Sequence, residues 1–267
     1  MSAVLAPREA HVRVGGVCVA LRTSSAAFDR MLDERFGAFM APGGEADYVF
    51  DVDVVEPQGE APDDDVRVWR EAGAWRIERG DFRAVLDPRT RRGRIRQVAN
   101  PYSVDTLLRI VHTISLAGEG GFLLHAASVV RGARAQVFTG VSGAGKTTLS
   151  RLAPPDAAVL TDEISYIRHE RDGYVAHGTP FAGELARPGA NVSAPLEAIY
   201  LLEKGPRNRV DPVDPAIAAR ALLGNILFFA EDPALVRRVF TAALDLVESL
   251  PVRRLTFVPD ASVWEVL

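Results

Sequence analysis

The sequence predicts an α/β protein, α+β overall, in which a mixed, mainly antiparallel sheet domain precedes a domain of strands and helices arranged about a glycine-rich loop. Three observations predict it. Residues 11–98 hold short segments whose apolar residues recur at every second position, separated by turn signals. The character changes near residue 120, where a pair of strands runs into a glycine loop and a helix. The 267 residues suffice for one large domain or two smaller ones. The chain therefore divides into residues 1–120, a mainly antiparallel α+β domain, and residues 121–267, which carry the loop.

Residues 11–21 alternate as a strand does, with a phase slip at Gly15-Gly16 that marks a bulge or tight turn. Residues 26–39 have helical spacing (Phe28, Met31, Leu32, Phe36, Phe39), with Ser24 or Ser25 as N-cap. Residues 48–55 alternate again, with Tyr48, Phe50, Val52 and Val54 on one face and Asp51 and Asp53 on the other. Residues 59–65 form a turn or loop rich in acid and proline. Strands follow over 66–70, 74–78, 82–87 and 93–98, and a helix over 104–117. Arg89, Arg91, Arg92, Arg94 and Arg96 make a basic cluster, three of them on one side of a strand, and read as a solvated face. No aromatic residues interleave with them, as single-stranded nucleic acid would want.

Beyond residue 120, residues 122–130 and 135–139 read as strands joined by a turn at Arg131-Gly132. A helix over 147–152 stops at Pro154-Pro155. Residues 157–161 form an apolar strand. Residues 166–168 and 174–176 form a hairpin, and 196–202 a buried strand. Helices are expected over 215–229 and 233–250, and strands over 254–258 and 263–266.

Composition narrows the function class. The apolar share is 48%, the charged share 25% and the formal net charge −4, so nothing in the balance points to nucleic acid. Cys18 is the one cysteine. It cannot form an internal disulfide, which fits a reducing, cytoplasmic compartment, and it reads as a small strand residue. No apolar run approaches the ~20 residues of a membrane span. The start of the chain lacks the apolar core of a secretory signal. No membrane and no nucleic-acid partner are therefore expected.

The strongest signal is Gly140-Val141-Ser142-Gly143-Ala144-Gly145-Lys146-Thr147, a full G-x-x-x-x-G-K-[ST] match after a strand and before a helix. Chance supplies such a match in roughly one chain of this length in a hundred. The glycines let successive N–H groups turn toward phosphate oxygens without a Cβ clash, and the helix start adds its positive end. Lys146 places a point charge on the outer phosphates, and Thr147 offers a hydroxyl to Mg²⁺. The nucleotide-contacting set is Gly140, Ser142, Gly143, Ala144, Gly145, Lys146, Thr147 and Thr148. ATP and Mg²⁺ are the implied cofactors.

Asp162 ends the strand over 157–161, and Glu163 follows. A strand beside the loop would bring the first carboxylate to the metal or the acceptor; adjacent residues there point different ways, so the pair can divide roles. The bland alternative is a helix cap or solvated turn. His125 interrupts an apolar strand ahead of the loop, and on its own reads as a satisfied core histidine.

The order Leu124-His125-Ala126, a strand pair, the glycine loop and Leu160-Thr161-Asp162-Glu163 resembles the HPr kinase/phosphorylase C-terminal domain, whose nucleotide core is shared with ATP-dependent phosphoenolpyruvate carboxykinase. The resemblance covers about residues 120–205. It implies a P-loop HPr kinase/PEP carboxykinase-like core, similar to the shorter HPr kinase-like proteins that modify peptides, lasso-peptide precursors among them. It implies Asp162 as the catalytic aspartate that takes the acceptor's proton, His125 beside the transferring phosphate, and Thr147, Asp162, Glu163 and Glu184 about the metal. Glu163 stands where the family usually has a second aspartate. Thr179-Pro180-Phe181-Ala182-Gly183-Glu184 followed by Arg187 is similar to the family's acidic-and-arginine loop, with Arg187 for phosphate and one extra residue between acid and arginine. A solvated loop also explains that pair. Residues 1–120 do not resemble the family's N-terminal domain, so HPr as substrate, a hexamer and phosphorylase activity are not carried over.

The implied reaction is in-line transfer of the γ-phosphoryl group, with Asp162, His125 and Lys146 as catalytic residues and the N-terminal domain as candidate acceptor binder. The acceptor is a peptide or protein Ser/Thr hydroxyl. A small-molecule hydroxyl and a non-catalytic ATP-binding scaffold are the alternatives, with carboxykinase-type chemistry behind them. A GTPase is disfavoured, because Asn208 is followed by Arg209 and no guanine-reading N-K-x-D is present. The residues leave open the acceptor's identity and whether the chain forms a homo-oligomer.

Overall fold

The computed structural model describes residues 8–57 and 65–267. The acid- and proline-rich stretch expected over 59–65 falls, but for Asp65, outside them. The described residues form a mixed α/β protein with two large mixed sheets. Two compact units emerge. One comprises Met1–His112 with Phe229–Pro233, the other Thr113–Phe228 with Ala234–Leu267.

In the first unit, β1 (Arg8–Val14) and β2 (Val17–Thr23) form a hairpin about Gly15 and Gly16, both at positive φ. The slip in alternation is that turn. Helix α1 (Ala26–Phe36) starts where Ser25 Oγ accepts the N–H of Phe28 at 3.2 Å. It ends at Phe36, and the last expected turn is a 3₁₀ segment, Gly37–Phe39. The strands β3 (Met40–Ala41), β4 (Tyr48–Val55), β5 (Arg67–Glu71), β6 (Ala74–Arg79), β7 (Phe82–Asp87) and β8 (Arg92–Val98) complete a sheet in the order β3-β1-β2-β4-β8-β7-β6-β5. Its β2–β4 and β4–β8 pairs are parallel and the rest antiparallel. Alternation sets the faces: Tyr48 and Phe50 are buried and Asp51 and Asp53 are not. Arg92, Arg94 and Arg96 are exposed on β8. Ala230 bridges Val68 of β5, which ties Phe229–Pro233 to this unit. Helix α2 (Pro101–Glu119) begins earlier than the apolar spacing alone implies, because Asn100 Oδ1 accepts the N–H of Tyr102 at 3.0 Å. The division between units falls inside α2, ahead of residue 120.

The second unit begins with β9 (Phe122–Arg131) and β10 (Arg134–Thr139), then α3 (Lys146–Arg151), β11 (Ala158–Thr161), β12 (Ile164–Glu170), β13 (Gly173–His177), β14 (Ser193–Lys204), β15 (Arg209–Pro212), α4 (Pro215–Leu223), β16 (Ile226–Leu227), α5 (Pro233–Ser249) and β17 (Val252–Phe257). The pairings run β10-β9-β12-β13-β14 and return from β14 to β10, with β17 and β15 beyond β14. Adjacent residues on one strand serve different cores. Val137 and Ile199 pack with Leu222 and Leu246, while Phe138 and Tyr200 pack with Leu149, Phe257 and Trp264. Phe138 stacks on Tyr200 at 5.4 Å and meets Trp264 edge-on at 5.7 Å.

Two expected elements differ. The helix over 215–229 stops at Leu223, and Ile226–Leu227 pairs with β9 instead. The strand over 263–266 is a 3₁₀ turn, Ala261–Glu265, whose start Asp260 caps by accepting the N–H of Ser262 at 2.9 Å.

Candidate functional site

The site lies where β10 and β11 of the second unit end beside the middle of β9. β9 pairs antiparallel with β10 on one side and with β11 on the other, so β10 and β11 run in the same direction and end together. Asp162 thus sits one strand removed from β10, with β9 between, and not on the strand adjoining the loop's own. Thr139, the last residue of β10, is opposite Ala126, and its hydroxyl donates to the carbonyl of His125 at 3.0 Å. The N–H of Ala126 donates to the carbonyl of Glu163 at 2.9 Å. These bonds fix the glycine loop, His125 and the acid pair about one point.

The loop folds as its glycines demand. Gly145 precedes α3 at φ 111°, and a Cβ there would stand 2.5 Å from Phe257 Cζ. Ala144 is buried in the core beside Phe138, and Val141 is exposed at the loop tip. Lys146 is buried; its ammonium donates to the carbonyl of Gly140 at 3.0 Å and that of Val141 at 3.4 Å. Burial pushes its pKa below the usual lysine value, and the charges of Glu163 and Glu184 oppose that shift.

Asp162 is buried at 4% exposure, with Oδ1 accepting from the Gly183 N–H at 3.1 Å and Oδ2 from the Leu185 N–H at 2.9 Å. Glu163 is half-buried and Glu184 exposed, 3.8 Å from Arg151.

A cavity of about 550 Å³ opens here, lined by His125, Ser142, Gly143, Gly145, Lys146, Thr147, Thr148, Asp162, Glu163, Ala182, Gly183 and Glu184. Most of the predicted site residues are therefore brought together. Gly140 and Ala144 serve the loop's packing and do not line the cavity. Arg187 is exposed and outside the lining. His125 is half-buried on the cavity wall, not a core histidine. Ala182 and Gly183 also line the cavity; they belong to the loop that the resemblance singles out, but carry no side-chain chemistry that would name them individually.

The family model described as SynChlorMet cassette protein ScmC matches residues 100–267. The chain belongs to the ScmC family. The match takes in every cavity-lining residue of this ScmC family member and leaves residues 1–99 outside. Among solved structures, it is similar to the Hpr(Ser) kinase/phosphatase from Coxiella burnetii, at 14% identity over 48% of this chain and 88% of that one, with a TM-score of 0.26. No curated protein matches. Among the described residues no helix is long and apolar enough to cross a membrane.

Proposed function

We propose that this chain is an ATP-dependent kinase that transfers the γ-phosphoryl group to a Ser or Thr hydroxyl of a peptide or protein. One observation supports the reading above others: the glycine loop, His125 and the carboxylates of Asp162, Glu163 and Glu184 border a single cavity of about 550 Å³. The loop N–H groups and the Lys146 ammonium would hold the phosphates. In the transfer, the acceptor oxygen forms a bond to the γ-phosphorus as the bond from that phosphorus to the β,γ-bridging oxygen breaks. The acceptor's proton passes to a carboxylate of the pair at the end of β11, and ADP leaves.

The residues fit Mg²⁺ bound with a nucleotide. The Thr147 hydroxyl and the Glu163 and Glu184 carboxylates border the same cavity, while among the described residues no three His, Cys, Asp or Glu side chains make a metal cage of their own. A hard cation that keeps water and phosphate oxygens as ligands suits such a site. When bound, it would neutralise charge building on the phosphates.

The test is a titration of the full chain with MgATP, followed by incubation with γ-labelled ATP and Ser/Thr peptides. Uptake of nucleotide, label on the peptide, and a loss of roughly 100-fold in transfer for Lys146→Ala are expected. No uptake, with Lys146→Ala indistinguishable from the parent, would sink the proposal.

A further inference from the structure

Asp162 and Glu163 leave the end of β11 side by side, yet their carboxylates meet different surroundings. Both oxygens of Asp162 accept backbone N–H groups, from Gly183 at 3.1 Å and from Leu185 at 2.9 Å. These are charge-assisted bonds, the stronger class, and they flank Glu184 on either side. The approach is tight. A Cβ on Gly183 would stand 2.9 Å from Asp162 Oδ2, 2.9 Å from Glu163 Cβ and 3.0 Å from Glu163 Oε2, so only glycine lets the segment close on the acid pair, and both carboxylates lie beside it. Glu163 is less buried than Asp162, and with Glu184 it supplies the negative charge felt by the Lys146 ammonium. A group that takes a proton from an acceptor must reach it with a lone pair. Asp162 and Glu163 both line the cavity with Lys146, but each oxygen of Asp162 already accepts a backbone N–H, and Glu163 is the less buried of the two.

We infer that Asp162 is a positioning residue, whose carboxylate hangs residues 183–185 on the end of β11 and so sets Glu184 at the cavity, and that Glu163 is the carboxylate of the pair that faces the acceptor hydroxyl. The second half rests on the kinase reading; the first is a statement about backbone hydrogen bonds and stands without it.

The experiment compares the full-length parent with Asp162→Ala, Asp162→Asn and Glu163→Gln. Amide hydrogen exchange is followed by mass spectrometry over residues 181–187 without ligand. Label transfer from γ-labelled ATP to a Ser/Thr peptide is measured in parallel. Asp162→Ala speeds exchange of the segment about tenfold or more, because two N–H groups lose their acceptor. Asp162→Asn, which keeps one acceptor oxygen, falls between, and carries the comparison if the alanine variant does not fold. Glu163→Gln leaves exchange within about twofold of the parent. Its transfer drops by about 100-fold or more. Exchange unchanged in both Asp162 variants overturns the anchor. Transfer surviving in Glu163→Gln while Asp162→Asn abolishes it overturns the assignment of Glu163. A parent that takes up no MgATP takes the kinase reading and the Glu163 role down together, and exchange still decides the anchor.

Discussion

The Thr139 hydroxyl donates to the carbonyl of His125 at 3.0 Å, which ties the last residue of β10 to the residue of β9 that borders the cavity. Thr139 is fully buried and His125 half-buried. The bond sets where the glycine loop departs relative to the imidazole and, through Ala126 and Glu163, relative to the acid pair. The site's geometry therefore rests on hydrogen bonds that join the ends of β10 and β11 to β9.

Thr139→Val keeps the shape and removes the donor. Loss of the bond at a buried position should cost about 1–2 kcal/mol. Urea unfolding should show that loss, and Thr139→Ser, which keeps the hydroxyl, should recover most of it. Equal stability of the valine variant and the parent would mean the bond does not hold the strand ends.

Gly145→Ala meets two obstacles. The residue sits at φ 111°, where a side chain is strained, and the new Cβ falls 2.5 Å from Phe257 Cζ. Phe257 cannot retreat, since it is buried among Leu149, Leu255 and Trp264. A destabilisation of about 2 kcal/mol or more is expected, with MgATP affinity down by at least about tenfold. Adding Phe257→Leu should recover only the steric share. A singly substituted chain that binds MgATP like the parent would show that the loop's conformation is not what holds phosphate.

The sequence makes legible those elements whose pattern is local. The strand Tyr48–Val55 alternates cleanly and Phe82–Asp87 ends at Asp87-Pro88, and both stand as read. The glycine loop is legible because its residues are needed for their own backbone. Apolar runs without a clear period are ambiguous. Residues 226–229 continue the apolar character of α4, yet Gly224 ends the helix and Ile226 pairs with Leu124 of β9. β15 was not legible, being short, polar and paired only with β17. In the site, the placing of residues 183–185 is carried by main-chain N–H groups, which every sequence has. No residue pattern marks that Asp162 would be their acceptor.

Arg187 tests how far a resemblance in sequence extends to this site. It is exposed and outside the cavity lining. Arg187→Ala should therefore leave MgATP affinity within about twofold of the parent, the usual range for a surface change. Calorimetric titration decides it. A fall of tenfold or more would mean that the segment after Glu184 folds over bound nucleotide.

His112 should make the protein acid-sensitive in a defined window. It is fully buried, and that burial pushes its pKa down to about 4 against a partial pull upward from the Asp47 carboxylate. Below about pH 6.5 the unfolded chain protonates this imidazole while the folded one keeps it neutral, so the unfolded state binds more protons. The full contribution is present above pH 6.5. It drains away as the pH falls toward 4, at most about 1.4 kcal/mol per pH unit, for a loss near 3 kcal/mol in all. Below pH 4 both states carry the proton and this loss stops growing. Carboxylates titrate over part of the same range, so the comparison must be with a variant. Urea unfolding at pH 7, 5.5 and 4, followed by fluorescence of the buried Trp75, should show the parent losing more stability than His112→Gln between the first and last of these. Parallel pH profiles for the two proteins would show that the folded imidazole already carries its proton in that window.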